Sequence, residues 1–236
     1  MIFFLILYSH SHEYNEMYKL QSQYLKNIQI PHLFYCFNEE QENEYSVIDD
    51  ILYIRGKETY IPGILDKTIK AIKYVKDNYS DIDYIVRQNI STIILYPELI
   101  NRIIESDIDF GGPLLYYAYP NTESGLIGNK YDLYGHLPFI SGICMIFSRK
   151  AIEFILAHIP EIMEYELVDD LSISYAFSLI LNEMIFETIN GNIGWNTDYN
   201  NDNNNDIICY RNKSNDRSID IERMKNIIFN IENNIC

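Results

Sequence analysis

The segment DYIVRQNIST, residues 83–92, places a run of polar side chains directly after an apolar strand. Its first residues have the apolar, β-branched pattern of a buried strand, and Arg87, Gln88, Asn89 and Ser91 follow at once. Polar residues at the end of a core strand either meet a ligand or form a turn that caps the next element. The order of strands and helices around the segment bears on this choice.

Strand-like and helix-like patterns alternate along the whole chain. Strand patterns lie at 2–8, 32–37, 51–54, 83–86, 108–117 and 207–210. Helical patterns lie at 13–28, 64–79, 96–106 and 166–182, and a final helix begins at about Ile219. Residues 139–159 have the pattern of a strand, a turn and a helix. This alternation predicts a single α/β domain over residues 1–236, with a mostly parallel, twisted sheet flanked by helices. Ligands bind such sheets at the carboxyl ends of the strands, where residues 87–92 would lie.

Composition and charge restrict the partners. Hydrophobic residues make up 47% of the 236, and the formal net charge is −16. A field of that sign argues against nucleic acid and anionic membranes, and a phosphate-bearing ligand would need a local pocket of basic side chains. The four cysteines, Cys36, Cys144, Cys209 and Cys236, lack a paired spacing, which predicts reduced thiols rather than a disulfide framework or a zinc site.

The N-terminal segment MIFFLILYSHSH predicts a core strand rather than a signal peptide. It has no basic residues before its apolar run, and that run ends after about eight residues, too few to cross a bilayer. No other stretch of the sequence is long and apolar enough to do so. We therefore expect a cytoplasmic protein without a transmembrane segment.

Four segments resemble, in order and spacing, the GT-A-fold glycosyltransferases of the fringe and β-galactosyltransferase type and related small sugar transferases of large DNA viruses and bacteria. The segments are ETYIPGILDKTIKAIKYV (58–75), DYIVRQNIST (83–92), FISGICMIFSRKAIEFI (139–155) and ELVDDLSISYAF (166–177). The resemblance implies a GT-A-like domain, with residues 1–95 as the nucleotide-sugar-binding half and 96–236 as the acceptor half and C-terminal helix. It also implies transfer of a sugar from a nucleotide-diphosphate donor such as a UDP-sugar to a hydroxyl acceptor such as a glycan, with inversion. If the protein is viral, it would act in the host cytoplasm.

The sequence departs from the family at the metal-binding motif. In relatives the strand of 83–92 ends in a basic residue followed by Asp-x-Asp, which binds Mn²⁺ or Mg²⁺, whereas this chain has Asn89-Ile90-Ser91. Neutral amide and hydroxyl oxygens are weak ligands for hard cations, so we assign no metal ligands. Arg87 either supplies the positive charge that a metal would provide or forms a salt bridge with a nearby acid.

The donor-binding residues predicted from these patterns are Tyr8, Ser9, Lys67, Arg87, Gln88, Asn89, Ser91 and Arg211. Tyr8 and Ser9 follow the first strand, where the nucleobase and ribose would bind, although Ser9 or Ser11 is also suited to cap the next helix. Lys67 contacts a phosphate or is a solvated helical lysine. Arg211 belongs to a late basic cluster within reach of the diphosphate.

The base and the acceptor site are predicted from the second half. Inverting transfer requires a general base, and Asp169 and Asp170, at the start of a predicted helix, are the candidates. The resemblance slightly favours Asp170, while an ordinary acidic helix start is the alternative. The acceptor-binding candidates are His136, Ser141, Gly142 and Trp195.

Two other functions remain open at this point. The missing Asp-x-Asp is also expected of a degenerate glycosyltransferase that has become a binding or scaffold protein. A nucleotidyltransferase uses a similar sheet, but it would normally have a glycine-rich phosphate loop after the first strand, where this chain has YSHSHEY.

Overall fold

The computed structural model describes residues 1–117, 138–180, 186–199 and 206–234. Its strands are β1 (Ile2–Leu7), β2 (His32–Asn38), β3 (Tyr45–Ile48), β4 (Ile51–Arg55), β5 (Tyr84–Asn89), β6 (Thr92–Ile94), β7 (Phe110–Gly112), β8 (Leu115–Tyr117), β9 (Pro138–Ile140), β10 (Cys144–Ser148), β11 (Phe186–Thr188), β12 (Asn192–Trp195) and β13 (Ile207–Arg211). The helices are α1 (His12–Asn27), α2 (Gly63–Asn78), α3 (Tyr96–Glu105), α4 (Arg149–Ala157), α5 (Ile159–Met163), α6 (Asp169–Ser178) and α7 (Arg217–Asn234). The architecture is α/β, as predicted.

An eight-stranded sheet forms the centre, in the order β11-β7-β10-β5-β1-β2-β4-β3. Strands β4, β2, β1 and β5 are parallel neighbours, while β10 runs antiparallel to β5 and to β7. Strand β11 is parallel to β7, and β3 is antiparallel to β4. Four of these seven pairings are parallel, which confirms the predicted mostly parallel sheet.

Two hydrophobic layers cover the sheet because successive side chains of a strand point to opposite faces. On β1, Phe3 and Leu5 pack with buried residues of α2, α4 and α6, whereas Phe4 and Ile6 pack with α1, α3 and α7. Strands β1 and β2 are buried on both faces, which explains why their sequences are continuously apolar rather than alternating.

Four short strands lie outside the predicted strand patterns: β3, β6, β11 and β12. Between the predicted strands at 32–37 and 51–54, the structure has β3, which forms an edge of the large sheet. Residues directly after the polar run of β5 form β6, which pairs antiparallel with β13 and so brings Arg211 opposite Thr92. The predicted strand at 108–117 is divided into β7 and β8, and these belong to different sheets. None of the helices in the described ranges is long and apolar enough to span a bilayer.

Candidate active site

A cleft of about 850 Å³ opens where several element ends meet. The ends of β1 and β5, the turn before β10, the start of α6 and the end of β13 all contribute to its wall. The predicted site residues that line it are Tyr8, Ser9, Lys67, Arg87, Asn89, Ser91, Ser141, Gly142, Asp169, Asp170, Trp195 and Arg211. The fold therefore gathers residues from both predicted halves of the chain, and His136 lies outside the described residues.

Gln88 is the predicted donor-binding residue that lies away from the cleft. Its side chain is completely buried on the other face of β5, where it donates to Gln21 Oε1 at 3.0 Å and to the Thr92 carbonyl at 3.2 Å. The hydroxyl of Tyr96 donates to Gln88 Oε1 at 3.2 Å. The reason is the period of the strand: Arg87 points to the cleft, so its neighbour points to the opposite layer.

The two aspartates at the start of α6 have different surroundings. Asp169 is 4% exposed, and its Oδ2 lies 2.7 Å from Arg87 Nη2 and accepts a hydrogen bond from Thr68 Oγ1 at 3.1 Å. Asp170 is partly exposed, and it accepts the N–H of Gly142 at 3.0 Å and its neighbour's N–H, that of Leu171, at 3.0 Å. Asp169 is thus an ion-paired carboxylate, whereas Asp170 faces the cleft without a cationic partner bonded to it.

The Asp170 carboxyl has the properties of a proton acceptor near neutral pH. Burial, together with the negative charge of Asp169, raises the pKa of Asp170 to about 6, although the Gly142 N–H and Arg87 act in the opposite direction. A general base works best when its pKa lies close to the working pH. The role of Asp170 as the base stays a prediction.

Arg211 is a buried cation that lines the cleft. It is 7% exposed, and its Nη1 donates a hydrogen bond to Ser91 Oγ. Within the described part of the chain no carboxylate forms an ion pair with it. Asp220, an acid that raises the pKa of Arg211, is instead ion-paired with Arg217 at 2.8 Å. Burial, with Arg217 and Arg87 nearby, lowers the pKa of Arg211 to about 10, so the side chain stays protonated at neutral pH. A buried charge of this kind is stabilised by an anion in the cleft.

Two further basic residues line the same cleft as Arg211. Lys213 follows it by two residues, and Arg217 begins α7. Lys213 belongs to the late basic cluster that the sequence analysis identified, whereas Arg217 was missed. Its position in the first turn of a helix gave no signal, because a basic residue there normally faces solvent.

Lys67 forms an ion pair that braces the wall of the cleft. Its Nζ lies 2.7 Å from Glu58 Oε2 and donates to the Tyr8 carbonyl at 3.0 Å. Glu58 Oε1 also accepts the backbone N–H of Phe37 at 3.0 Å. Burial lowers the pKa of Lys67, and the Glu58 carboxylate partly offsets this effect. Lys67 is thus neither solvated nor without a counter-charge.

The residues after β1 form an aromatic pocket. The Tyr8 hydroxyl donates to Asn15 Oδ1 and lies 3.3 Å from His10 Nδ1. The His10 ring in turn stacks on Tyr53, with ring centroids 5.8 Å apart. Ser11 rather than Ser9 caps α1, since its Oγ accepts the N–H of Tyr14 at 3.2 Å. Ser9 lines the cleft and does not cap the helix.

The segment that replaces Asp-x-Asp does not suit a divalent cation. Asn89 Oδ1 accepts a hydrogen bond from Arg87 Nη1 at 2.9 Å, and Ser91 Oγ accepts one from Arg211 Nη1. Both side-chain oxygens therefore already face guanidinium groups, which would repel a metal ion. The described residues also contain no group of three His, Cys, Asp or Glu side chains that could hold a metal.

Exposed aromatic rings surround the mouth of the cleft. Tyr60, Tyr116 and Trp195 are 55%, 39% and 43% exposed, and all three line the cleft. Phe139 packs beside Tyr116, with ring centroids 6.0 Å apart. Only Trp195 was identified from the sequence, because the others lie in segments whose path across the surface is set by the tertiary fold.

Comparisons with known proteins show the fold and go no further. No family model matches the chain, and no curated protein matches it. Among solved structures, it is similar to a glycosyltransferase involved in the glycosylation of the major capsid of PBCV-1, with 8% identity, coverage of 95% of this chain and 98% of that chain, and a TM-score of 0.53. It is also similar to the inositol-1-phosphate CTP transferase from T. maritima, with 11% identity, coverage of 95% of each chain and a TM-score of 0.48. The first similarity confirms the predicted GT-A-like fold, while the resemblance to the fringe and β-galactosyltransferase group stays a prediction.

Proposed function

We propose that this protein is a glycosyltransferase that moves a sugar from a nucleotide-diphosphate donor to a hydroxyl acceptor, with inversion at the anomeric carbon. One observation carries the proposal. One cleft at the carboxyl ends of β1 and β5 contains both Arg211, a buried cation that forms no ion pair with the described carboxylates, and the partly exposed carboxyl of Asp170. An anion site and a base with a near-neutral pKa are the two groups that this reaction needs.

The diphosphate of the donor would bind the basic side chains that line the cleft, namely Arg211, Lys213 and Arg217. Arginine binds phosphate oxygens through charge-assisted and often bidentate hydrogen bonds. The nucleoside would lie against Tyr8, Ser9 and Asn89. Residues 1–95 then supply most of the donor site, with the basic groups added from the second half.

The proposed reaction is a single displacement at the anomeric carbon. Asp170 accepts the proton of the acceptor hydroxyl while that oxygen bonds to the anomeric carbon. The bond between the anomeric carbon and the diphosphate oxygen breaks, and the nucleoside diphosphate leaves with the bonding electrons. Arg211 stabilises the charge that develops on the leaving oxygen.

A saccharide is the acceptor that suits the mouth of the cleft. Exposed Tyr60, Tyr116 and Trp195 offer flat apolar surfaces on which the C–H faces of a sugar ring can stack. Ser141 and Gly142 line the same cleft, and Gly142 is hydrogen-bonded to Asp170, so the acceptor hydroxyl would approach the base beside them.

The basic side chains would take the place of the divalent cation that relatives use. The donor set at Asn89 and Ser91 does not fit such an ion, and we assign no step to one. Because Asn89 and Ser91 replace acidic ligands, a nucleotide-binding protein without catalysis is the second candidate.

A screen of nucleotide sugars tests the proposal. Thermal unfolding in the presence of UDP-, GDP-, dTDP- and CMP-sugars identifies the donor by an increase in Tm. Hydrolysis and transfer are then measured with EDTA and with Mn²⁺. Turnover that persists in EDTA supports the proposal, binding without turnover supports the second candidate, and no binding of any of the four donors rejects both.

A further inference from the structure

We infer that Arg87 is a positioning residue for the base rather than a ligand of the donor: together with Asp169 it fixes the Gly142 peptide, and this peptide holds the Asp170 carboxyl. The inference rests on the proposed function, since it assumes that Asp170 is the base. It assigns a role to the polar end of β5 that neither the sequence nor the fold comparison indicates.

The guanidinium of Arg87 is already occupied by protein acceptors. The side chain is 1% exposed, its Nη2 lies 2.7 Å from Asp169 Oδ2, and its Nη1 donates to Asn89 Oδ1 at 2.9 Å and to the Gly142 carbonyl. Only Nε lacks a partner among the described residues, and it is buried as well. A phosphate would have to displace a carboxylate to bind Arg87, whereas none of the carboxylates in the described ranges is ion-paired with Arg211 in the same cleft.

The Gly142 peptide connects Arg87 to Asp170. Its carbonyl accepts from Arg87 Nη1, and its N–H donates to Asp170 Oδ2 at 3.0 Å. A Cβ at this position would lie 2.9 Å from Arg87 Nη1 and 3.2 Å from Asp170 Oδ2, so any larger residue would press on both side chains. The orientation of the base is therefore coupled to that of the guanidinium.

The ion pair is itself anchored in the core. Asp169 Oδ2 accepts a hydrogen bond from Thr68 Oγ1 at 3.1 Å, and Thr68 Oγ1 lies 2.9 Å from the Tyr35 hydroxyl. Both Thr68 and Tyr35 are completely buried. The charged groups that act on Asp170 are Asp169 and Arg87, which have opposite effects on its pKa. These contacts connect the Asp170 carboxyl at the cleft, through Gly142, Arg87 and Asp169, to buried residues of the core.

The test compares three variants with the wild type. Arg87→Lys keeps the charge but cannot hold Asp169, Asn89 and Gly142 together, and Asp169→Asn removes the charge beside Asp170. Asp50→Asn is the control, because Asp50 is a buried carboxylate, 6% exposed, that does not line the cleft. The readouts are pyrophosphate affinity by calorimetry, titration of the Asp170 carboxyl by ¹³C NMR, and kcat and donor KM across pH.

We expect Arg87→Lys to keep pyrophosphate affinity within about twofold and to lower kcat about 10²-fold with little change in donor KM, since a displaced base loses its alignment. Asp169→Asn should lower the pKa of Asp170, because the negative neighbour is gone and Arg87 remains, and this moves the acid limb of kcat/KM to lower pH. Asp50→Asn should change neither the titration nor the pH profile.

The inference is overturned if Arg87→Lys weakens pyrophosphate binding about tenfold or more while the Asp170 titration is unchanged, because Arg87 would then contact the donor. It is equally overturned if Asp169→Asn leaves the Asp170 pKa in place. If the wild type transfers no sugar from any donor, the proposed function fails, and the NMR titration still decides whether Arg87 and Asp169 control the Asp170 carboxyl.

Discussion

The ammonium group of Lys67 lies 2.7 Å from Glu58 Oε2, yet the lysine side chain is 2% exposed and the glutamate side chain 37% exposed. Loss of Glu58 and loss of Lys67 should therefore change the free energy of unfolding by different amounts. Glu58→Gln leaves a buried cation without its counter-charge and should lower the free energy of unfolding by about 2 kcal/mol. Lys67→Met leaves an acid that water can solvate and should stay within about 1 kcal/mol of the wild type.

Denaturant titration of both variants measures this asymmetry. The exposed i,i+4 pair of Lys73 and Asp77 provides the control, and Asp77→Asn should change stability by less than about 0.5 kcal/mol. Equal costs for the two Lys67–Glu58 variants would show that burial does not govern this pair.

Arg211→Gln should remove most of the affinity of the cleft for anions. A charge-assisted hydrogen bond contributes about 1.5–3 kcal/mol, so pyrophosphate affinity should fall about 10- to 100-fold. Arg149→Gln makes the same charge change at an arginine that is 47% exposed and pairs with Asp83, and it should leave the affinity unchanged. Calorimetry at two salt concentrations measures pyrophosphate affinity for both variants. An equal loss of affinity in the two would indicate only the general electrostatic field of the protein, which salt screens, and not a contact with Arg211.

Trp195→Ala should weaken the acceptor without affecting the donor. The ring is 43% exposed at the cleft, and loss of an aromatic stacking partner should raise the acceptor KM about 3- to 10-fold. Hydrolysis of the donor by water should be unchanged. Phe229→Ala is the matched control, since that ring is 67% exposed on α7 and does not line the cleft. If donor hydrolysis falls together with transfer, Trp195 contacts the donor instead.

Local patterns were sufficient to predict the main elements of the fold. The continuous apolar runs of β1 and β2 and the helical spacing of α1 and α2 each indicate one type of structure over their length. The short strands β3 and β6 carry no such signal, because three or four residues with a partner far along the chain do not establish a period. Their pairing is decided by the tertiary fold.

Most of the predicted site residues line one cleft, but their environments could not be predicted. The sequence places Arg87, Asp169 and Arg211 at element ends, but it does not show that Arg87 and Asp169 form an ion pair. Nor does it show that Arg211 forms none with the acids that the structure describes. That difference depends on contacts between distant segments, such as β13 beside β6 and α6 beside α2. Likewise, the sequence predicted both Arg87 and Gln88 as donor-binding residues, because the choice of Arg87 for the cleft depends on the positions of both layers.

Asp50 joins α1 to the sheet, and its loss should destabilise the fold without affecting the site. Its carboxylate lies 3.1 Å from Lys26 Nζ and 3.2 Å from His32 Nε2, and it accepts hydrogen bonds from the Tyr18 and Ser22 hydroxyls at 2.5 Å each. These donors hold the pKa of Asp50 well below its usual range despite burial, which acts in the opposite direction. Asp50→Asn should lower the free energy of unfolding by about 3 kcal/mol at pH 7.

The stability difference between the wild type and Asp50→Asn should depend on pH. A lowered pKa in the folded state means that the stabilisation is present above the ordinary aspartate pKa and is lost as the pH falls below it. The difference between wild type and Asp50→Asn should therefore shrink between about pH 5 and pH 3. A difference that stays constant over this range would mean that the lost contribution is packing rather than charge.

Asp170→Asn should abolish turnover and stabilise the protein at the same time. The pKa of Asp170 is raised to about 6, so ionisation of this group is less favourable in the folded protein than in the unfolded chain. The sign is opposite to that of Asp50: the cost to stability is absent below the ordinary aspartate pKa and is complete above about pH 6. Each pKa unit corresponds to about 1.4 kcal/mol, but the amide has a single acceptor oxygen for the two N–H groups, so we expect a net gain of about 1–2 kcal/mol at pH 7.5.

Chemical denaturation at pH 7.5 and pH 4 measures this gain, which should disappear at the lower pH because the wild-type carboxyl is then protonated. Wild-type kcat/KM should fall as the pH decreases through about 6, since the protonated carboxyl cannot accept the hydroxyl proton. Asp169→Asn serves as the comparison, because that carboxylate is paired with Arg87 and its loss should destabilise the fold. An Asp170→Asn variant that is inactive and less stable than the wild type at pH 7.5 would indicate a structural carboxylate. An inactive variant that is more stable than the wild type is expected if the carboxylate is held in an unfavourable state for catalysis.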